Sequence, residues 1–382
     1  MKLPMGFRAA GVRAGIKPSG KPDLGLVVGD GPLSWALAST ENLVKAPCVT
    51  RNRARAASLH GVRALVVNAG NANCANGDEG AWDNEEFAAA TAAALSLERT
   101  QEVLTASTGV IGRKLPMDRV RLGVPLAVAA LGDEVAPFAD AILTTDLAPK
   151  TAEVRLRGGA RVVGVAKGSG MIHPNMATMF AFLFTDAIVD QVELRSAWAR
   201  VVRRTFNQIT VDGDTSTNDM AIVLASHRLE ADAAEFAAAL EAVAGELARA
   251  IARDGEGATT LLTVEVRGGR SETEAMAAAR AVAGSSLVKA AVHGRDPNWG
   301  RVLSAVGQSG AVADLASVTV RLQGTTVYQG RPLEFDAAEL SQAMRSTDVL
   351  IAVDLAAGEA DGHAWGCDLS ADYVKINALY TT

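Results

Sequence analysis

Residues 167–180 read KGSGMIHPNMATMF, and the segment changes character over its last few positions. Lys167, Gly168, Ser169 and Gly170 lead to a Pro-Asn turn, after which Ala177 and Thr178 open the apolar run TMFAFLFTD. Phe180, Phe182 and Phe184 alternate there with Ala181 and Leu183, the period of two that sends successive side chains to opposite faces of a strand. Apolar residues on both faces imply a strand covered from two sides. A polar threonine stands at its mouth.

Further strand-like runs lie at 24–30, 62–70, 160–168, 259–268, 317–324 and 349–355. Helical patterns fall between them. The clearest covers 231–252, where Phe236, Leu240, Val243, Leu247 and Ile251 recur at spacings of three and four, with Arg253 and Gly255 as stop signals. Strands and helices alternate without a fixed repeat or a Pro/Ser linker, so the expected fold class is a layered α/β sandwich. No composition shift marks a domain boundary. The one candidate division is chemical, at Ala177-Thr178.

The chain has 382 residues, 49% of them hydrophobic and 21% charged, enough for a full buried core. Its net charge of -6 is spread without long like-charge blocks, which argues against nucleic acid or an anionic membrane as partner and favours small molecules. Cys48, Cys74 and Cys367 form no CxxC, so no disulfide framework or zinc site is written, and a reducing cytosol fits. The longest apolar stretches fall short of the roughly 18 residues a membrane span needs. Lys2, Arg8, Arg13 and Lys17 precede the first acid, but Pro4 and early glycines interrupt any amphipathic helix, so the N-terminus reads as mature sequence rather than a transit peptide.

Gly, Asn, Thr and Asp concentrate in NAGNANCANGDEG (68–80), STGVIG (107–112), TVDGDTSTND (210–219) and GRDPNWGR (294–301), which read as loops with exposed backbone. A glycine flanked by hydroxyl residues, as in Ser107-Thr108-Gly109, can aim N–H groups at developing negative charge. Phosphate-loop order fails in GVAKGSG, where Lys167 precedes the last glycine pair. Asp212 and Asp214 have calcium-loop spacing, but Thr217 and Val223 occupy the positions that need Gly and Glu. His363 and Cys367 supply two ligands of a zinc site and no more, and no metal or cofactor is expected. Ser169 with Lys167 makes a poor nucleophile pair in a glycine-rich turn.

Thr178 leaves two readings open. It is a strand-opening threonine, since threonine favours strands, or it is a nucleophile released by scission of the Ala177-Thr178 bond. In the second case its new α-amino group, with a pKa of about 7.7–8, would serve as general base for its own Oγ.

Taken together, these segments resemble the ornithine acetyltransferases, also called glutamate N-acetyltransferases, of cyclic arginine biosynthesis. The resemblance runs through GFRAAGVRAGIK, ENLVKAPCVTR, NAGNAN, STGVIG, TTDLAPK, KGSGMIHPNMATMF, TFNQITVDGDTSTND, DPNWGRV and DYVKINALYTT, in order and over essentially the whole chain. It implies self-cleavage into an α chain, 1–177, and a β chain, 178–382, which assemble as a heterotetramer of two α and two β. It further implies that Thr178 takes acetyl from N2-acetyl-L-ornithine as an ester and passes it to L-glutamate by a ping-pong route. Thr108 and Gly109 are then the oxyanion hole, and substrate contacts fall on Thr144, Lys167, Thr178, Glu256, Asn377 and Thr382. A lysine suits an α-carboxylate, and Glu256 suits the cationic end of ornithine. The expected location is cytoplasmic. Whether acetyl-CoA is also a donor is left open, as no CoA-specific motif is readable.

Two positions depart from the family pattern. Cys74 lies one place early in NANCANG, so no role is assigned to it, and His293 stands where a phenylalanine is expected. The competing function is an amidase or aminopeptidase in which water resolves the acyl-threonine. A non-enzymatic alternative is an uncut amino-acid-binding protein.

Overall fold

In the computed structural model, which describes residues 1–58, 60–173 and 179–379, the run after the junction is a strand buried along its whole length. Ala177, Thr178 and Thr382 lie outside the described residues. The chain forms two units. The first comprises Met1–Gly168, Asn175–Arg203 and Thr215–Leu247, the second Ser169–Pro174, Arg204–Asp214 and Ala248–Thr382. Each therefore takes residues from both sides of Ala177-Thr178.

The strands are β1 (Phe7–Val12), β2 (Leu24–Ser39), β3 (Val62–Asn71), β4 (Val103–Val110), β5 (Lys150–Arg155), β6 (Arg161–Lys167), β7 (Phe180–Ala187), β8 (Ile209–Thr210) and β9 (Met220–Leu229). All but β8 form the sheet of the first unit, in the order β4-β3-β2-β9-β7-β6-β5, with β1 paired to β2. β7 is antiparallel to β6 and parallel to β9. Its alternation divides as the sequence requires. Phe180, Phe182 and Phe184 join Trp35, Phe138, Ile222 and Leu224 in one cluster, with the Phe138 and Phe182 rings 5.8 Å apart. Leu183 faces the other way, beside Gly164 and the Val243 and Leu247 side chains. Those two belong to the helix Ala233–Arg253, two residues displaced at its start from the expected 231–252.

The second unit is built on β8 with β10 (Leu261–Gly269), β11 (Thr319–Leu322), β12 (Thr325–Gln329), β13 (Asp348–Asp354) and β14 (Ala360–Cys367), in the order β12-β11-β13-β10-β14-β8. Val264, Val266, Ile351 and Val353 pack with Ala275, Ala279 and Val282 of the helix Glu272–Gly284. The structure is thus the layered α/β arrangement expected from the strand and helix alternation.

Two local expectations are corrected. The strand at 24–30 runs on to Ser39, because a shift of register between Val28 and Leu33 carries β2 past the Gly-Asp-Gly-Pro that looks like its end. The segments NAGNAN and STGVIG are loops only in part: residues 68–71 close β3 and 107–110 close β4, with Asn68 and Ser107 fully buried. Among the described residues no single helix is long and apolar enough to cross a membrane.

Candidate functional site

β3 and β4 run parallel, and the register places Ala69 beside Thr108 and Gly70 beside Gly109. Gly109 has φ +133°, and a Cβ there would lie 2.3 Å from the Gly70 carbonyl carbon, so no larger residue fits without moving β3. Thr108 is buried, and its Oγ1 accepts a 2.6 Å hydrogen bond from Lys167 Nζ at the end of β6. A lysine ammonium only donates. The Thr108 hydroxyl therefore keeps its own proton for another acceptor.

Lys167 is only 1% exposed, so it is no solvated surface charge. Its Nζ lies 5.1 Å from the Phe180 ring centroid. Burial lowers its pKa, while Asp146 and Asp219 work in the opposite direction. Asp146 organises the surrounding backbone. Its Oδ1 accepts from Lys150 Nζ and from Gly168 N, each at 2.6 Å, and its Oδ2 accepts from Thr144 N at 3.0 Å and from Thr144 Oγ1 at 3.5 Å. Burial pushes its carboxyl up, but Lys150 and Lys167 outweigh this and hold it below the usual carboxylate range. Thr108, Gly109, Thr144 and Lys167 thus belong to one polar assembly in the first unit.

The segment TSTND, read from sequence as part of a polar loop, is buried from Ser216 to Asp219. Asn218 Nδ2 donates to Ala72 O at 2.6 Å and to Ser107 O at 2.7 Å, tying the ends of β3 and β4 together. Asp219 Oδ1 accepts from Met179 N at 3.0 Å, the residue that follows Thr178. Burial pushes the Asp219 carboxyl up to about 8, opposed chiefly by Lys167. Asp146, Lys150 and Asp219 were missed by sequence reasoning. The i,i+4 spacing of Asp146 and Lys150 within TTDLAPK was the available signal for the first two.

In the second unit, Glu256 Oε2 accepts from Asn377 Nδ2 at 3.0 Å, and Glu256 N donates to Ser169 O at 3.0 Å. Gly170 passes so close that a Cβ there would lie 2.5 Å from the Glu256 carboxyl carbon. Ser169 Oγ is committed to Asp254 O at 2.6 Å, which removes it as a nucleophile. Met171 N and Ile172 N both donate to the Asp212 carboxylate, at 2.6 and 2.8 Å, fixing the approach to the junction. Glu256 and Asn377 are therefore brought together.

The ArgJ family model matches residues 8–382. The arginine biosynthesis bifunctional protein ArgJ of Deinococcus radiodurans is 58% identical over 381 residues, covering 100% of this chain and 98% of the relative. Its namesake in Thermus thermophilus is 56% identical over 383 residues, covering 100% of both. A crystal structure of arginine biosynthesis bifunctional protein ArgJ from Bacillus halodurans matches at 42% identity with a TM-score of 0.51, over 52% of this chain and 98% of that one. With a whole-length family match and relatives this similar from end to end, the chain belongs to the ArgJ family.

Proposed function

We propose that this chain, an acetyltransferase of arginine biosynthesis by its family, cuts itself between Ala177 and Thr178 and then moves acetyl from N2-acetyl-L-ornithine to L-glutamate through an acetyl-Thr178 ester. The observation that carries the proposal is the Lys167 Nζ to Thr108 Oγ1 bond, which leaves the buried Thr108 hydroxyl free to donate. Thr178 Oγ attacks the acetyl carbonyl while its proton passes to the Thr178 amine. The carbonyl electron pair moves onto oxygen, where the Thr108 hydroxyl and the Gly109 N–H stabilise it. Collapse breaks the carbon–nitrogen bond, and ornithine leaves with the proton. Glutamate then enters and attacks the ester by the same steps in reverse.

Substrate contacts are proposed at Thr144, Lys167, Thr178, Glu256, Asn377 and Thr382. Lys167 faces Thr108 and two carboxylates in this structure, so it acts on the oxyanion donor as well as on any substrate carboxylate. The Bacillus halodurans chain, matched by about half of this one, is consistent with a mature protein made of two fragments. The fragments 1–177 and 178–382 then form a heterotetramer of two α and two β in the cytoplasm.

The test is acceptor dependence. Steady consumption of acetyl-ornithine should require glutamate and give parallel double-reciprocal plots; equal consumption without glutamate would make the enzyme an amidase. Glutamate with acetyl-CoA alone decides whether CoA is a second donor. Glu256→Gln keeps the Asn377 contact but removes the charge offered to ornithine. Losing a charge-assisted bond of about 1.5–3 kcal/mol should raise KM for acetyl-ornithine roughly 10- to 100-fold, with a smaller change in kcat. Initial-rate kinetics on the purified variant checks it.

A further inference from the structure

Glu256 stands in a tight turn from Gly255 to Ala258, closed by the Ala258 N–H donating to Gly255 O at 2.9 Å, with Gly257 at φ +70°. Such a turn sets its own shape but not the direction in which it points. The direction comes from the residues after β14. Asp368, 3% exposed, collects four donors: Oδ1 accepts from Thr259 N at 2.8 Å and Thr260 N at 2.9 Å, and Oδ2 accepts from Thr259 Oγ1 and His293 Nδ1, each at 2.7 Å. Three of these come from the two residues that follow the turn. Asp368 N returns a bond to Thr260 O at 3.1 Å.

Two residues on, Ser370 Oγ donates to Gly257 O at 2.6 Å and accepts from Asp372 N and Tyr373 N, at 3.2 and 3.3 Å, where the helix Ala371–Leu379 that carries Asn377 begins. The packing leaves little slack. A Cβ at Gly257 would lie 2.4 Å from Tyr373 N, and one at Gly255 2.6 Å from Cys367 Sγ. The helix Ser286–Gly294 grips the same stretch from one face, since the buried Lys289 donates from Nζ to Cys367 O, its own carbonyl accepts from Leu369 N, and His293 one turn later meets Asp368. Burial pushes the Asp368 carboxyl up, but the Thr259 and His293 bonds outweigh this and hold it below the usual carboxylate range. It is therefore an ionised acceptor near neutral pH, and His293 Nδ1 carries the proton.

We propose that Asp368, completed by His293, is a positioning residue for donor specificity: it fixes the Glu256 turn against the Asn377 helix, so that the Glu256 carboxylate is held where the side-chain ammonium of acetyl-ornithine arrives. The inference rests on the reading of Glu256 as the contact for that ammonium. Asp368 acts through the turn and touches no substrate. Its loss lets the turn swing, and a carboxylate displaced by an ångström no longer makes a short charge-assisted bond.

N2-acetyl-ornithine and N2-acetyl-norvaline differ only in the terminal amine, so the ratio of their kcat/KM values reports the charge at Glu256 and cancels what both donors share. Asp368→Ala should raise KM for acetyl-ornithine about 10-fold with kcat within about twofold, and leave kcat/KM for acetyl-norvaline within about twofold of wild type. His293→Phe removes one donor from a side chain that is 42% exposed, and should shift the ratio about threefold in the same direction. His293→Asn, whose Nδ2 takes the place of Nδ1, should restore it. These two variants at an exposed position carry the test should D368A fail to fold. Equal losses on both donors, or a ratio that H293F leaves unchanged, would overturn the assignment. A wild-type enzyme indifferent between the two donors would instead defeat the reading of Glu256 itself.

Discussion

Thr178→Ala is expected to yield a single full-length band on a denaturing gel and acetyl transfer reduced by a factor on the order of 10⁴–10⁶, the scale of removing a covalent nucleophile. Both effects have one cause. On the proposed mechanism, scission requires Thr178 Oγ to attack the Ala177 carbonyl, and turnover requires the same oxygen to accept acetyl. Alanine lacks it, and without scission there is no amine to act as base. Thr178→Ser keeps the hydroxyl and should still give two fragments with measurable turnover. Mass spectrometry of the two variants beside the wild type is sufficient, and an active, cut T178A protein would rule out the acetyl-Thr178 mechanism.

Thr108→Val is expected to lower kcat about 10²- to 10³-fold with little change in KM, because an oxyanion donor contributes in the transition state rather than in substrate binding. Valine nearly matches threonine in shape, so the site does not collapse. The variant also leaves Lys167 Nζ, buried at 1% exposure, without the acceptor it meets at 2.6 Å. An orphaned buried donor costs about 1–3 kcal/mol, which urea denaturation would report as a lower midpoint at unchanged slope. A rise in KM with kcat intact would instead identify Thr108 as a ground-state substrate contact.

What could be read from the sequence divides along a physical line. Short-range periodicity was sufficient for β7, where Phe180, Phe182 and Phe184 share a face, and for the helix Ala233–Arg253 with its apolar stripe. Burial of polar segments was not readable, because it depends on partners far away in sequence. Asn218 is held in the interior by donating from Nδ2 to the Ala72 and Ser107 carbonyls, more than a hundred residues distant, and the tetrapeptide around it looks like any solvated turn. Asp23 is similar. Its carboxylate collects the N–H groups of Ala14, Gly15, Ile16 and Lys17, which shapes the RAGIK end of GFRAAGVRAGIK, after β1, into a fixed loop that no local pattern announces. For the site, the motifs singled out Thr108, Gly109, Thr144 and Lys167, but the counter-charges Asp146 and Asp219 emerged only with the fold. His293, unexpected where phenylalanine was anticipated, places Nδ1 2.7 Å from Asp368 Oδ2, a contact that phenylalanine could not make.

The strand order β2-β9-β7-β6 has a consequence for the mature molecule. β2 and β6 precede the junction, whereas β7 and β9 follow it, so the later pair is threaded between partners from the earlier segment. If the backbone is opened at Ala177-Thr178 as proposed, the two polypeptides would share a ladder that has to be torn along two seams to separate them. Denaturation of the processed protein then becomes a dissociation, and recovery a second-order encounter between pieces with raw sheet edges. On the proposed mechanism, assembly before scission would spare the enzyme that encounter and make maturation a one-way step.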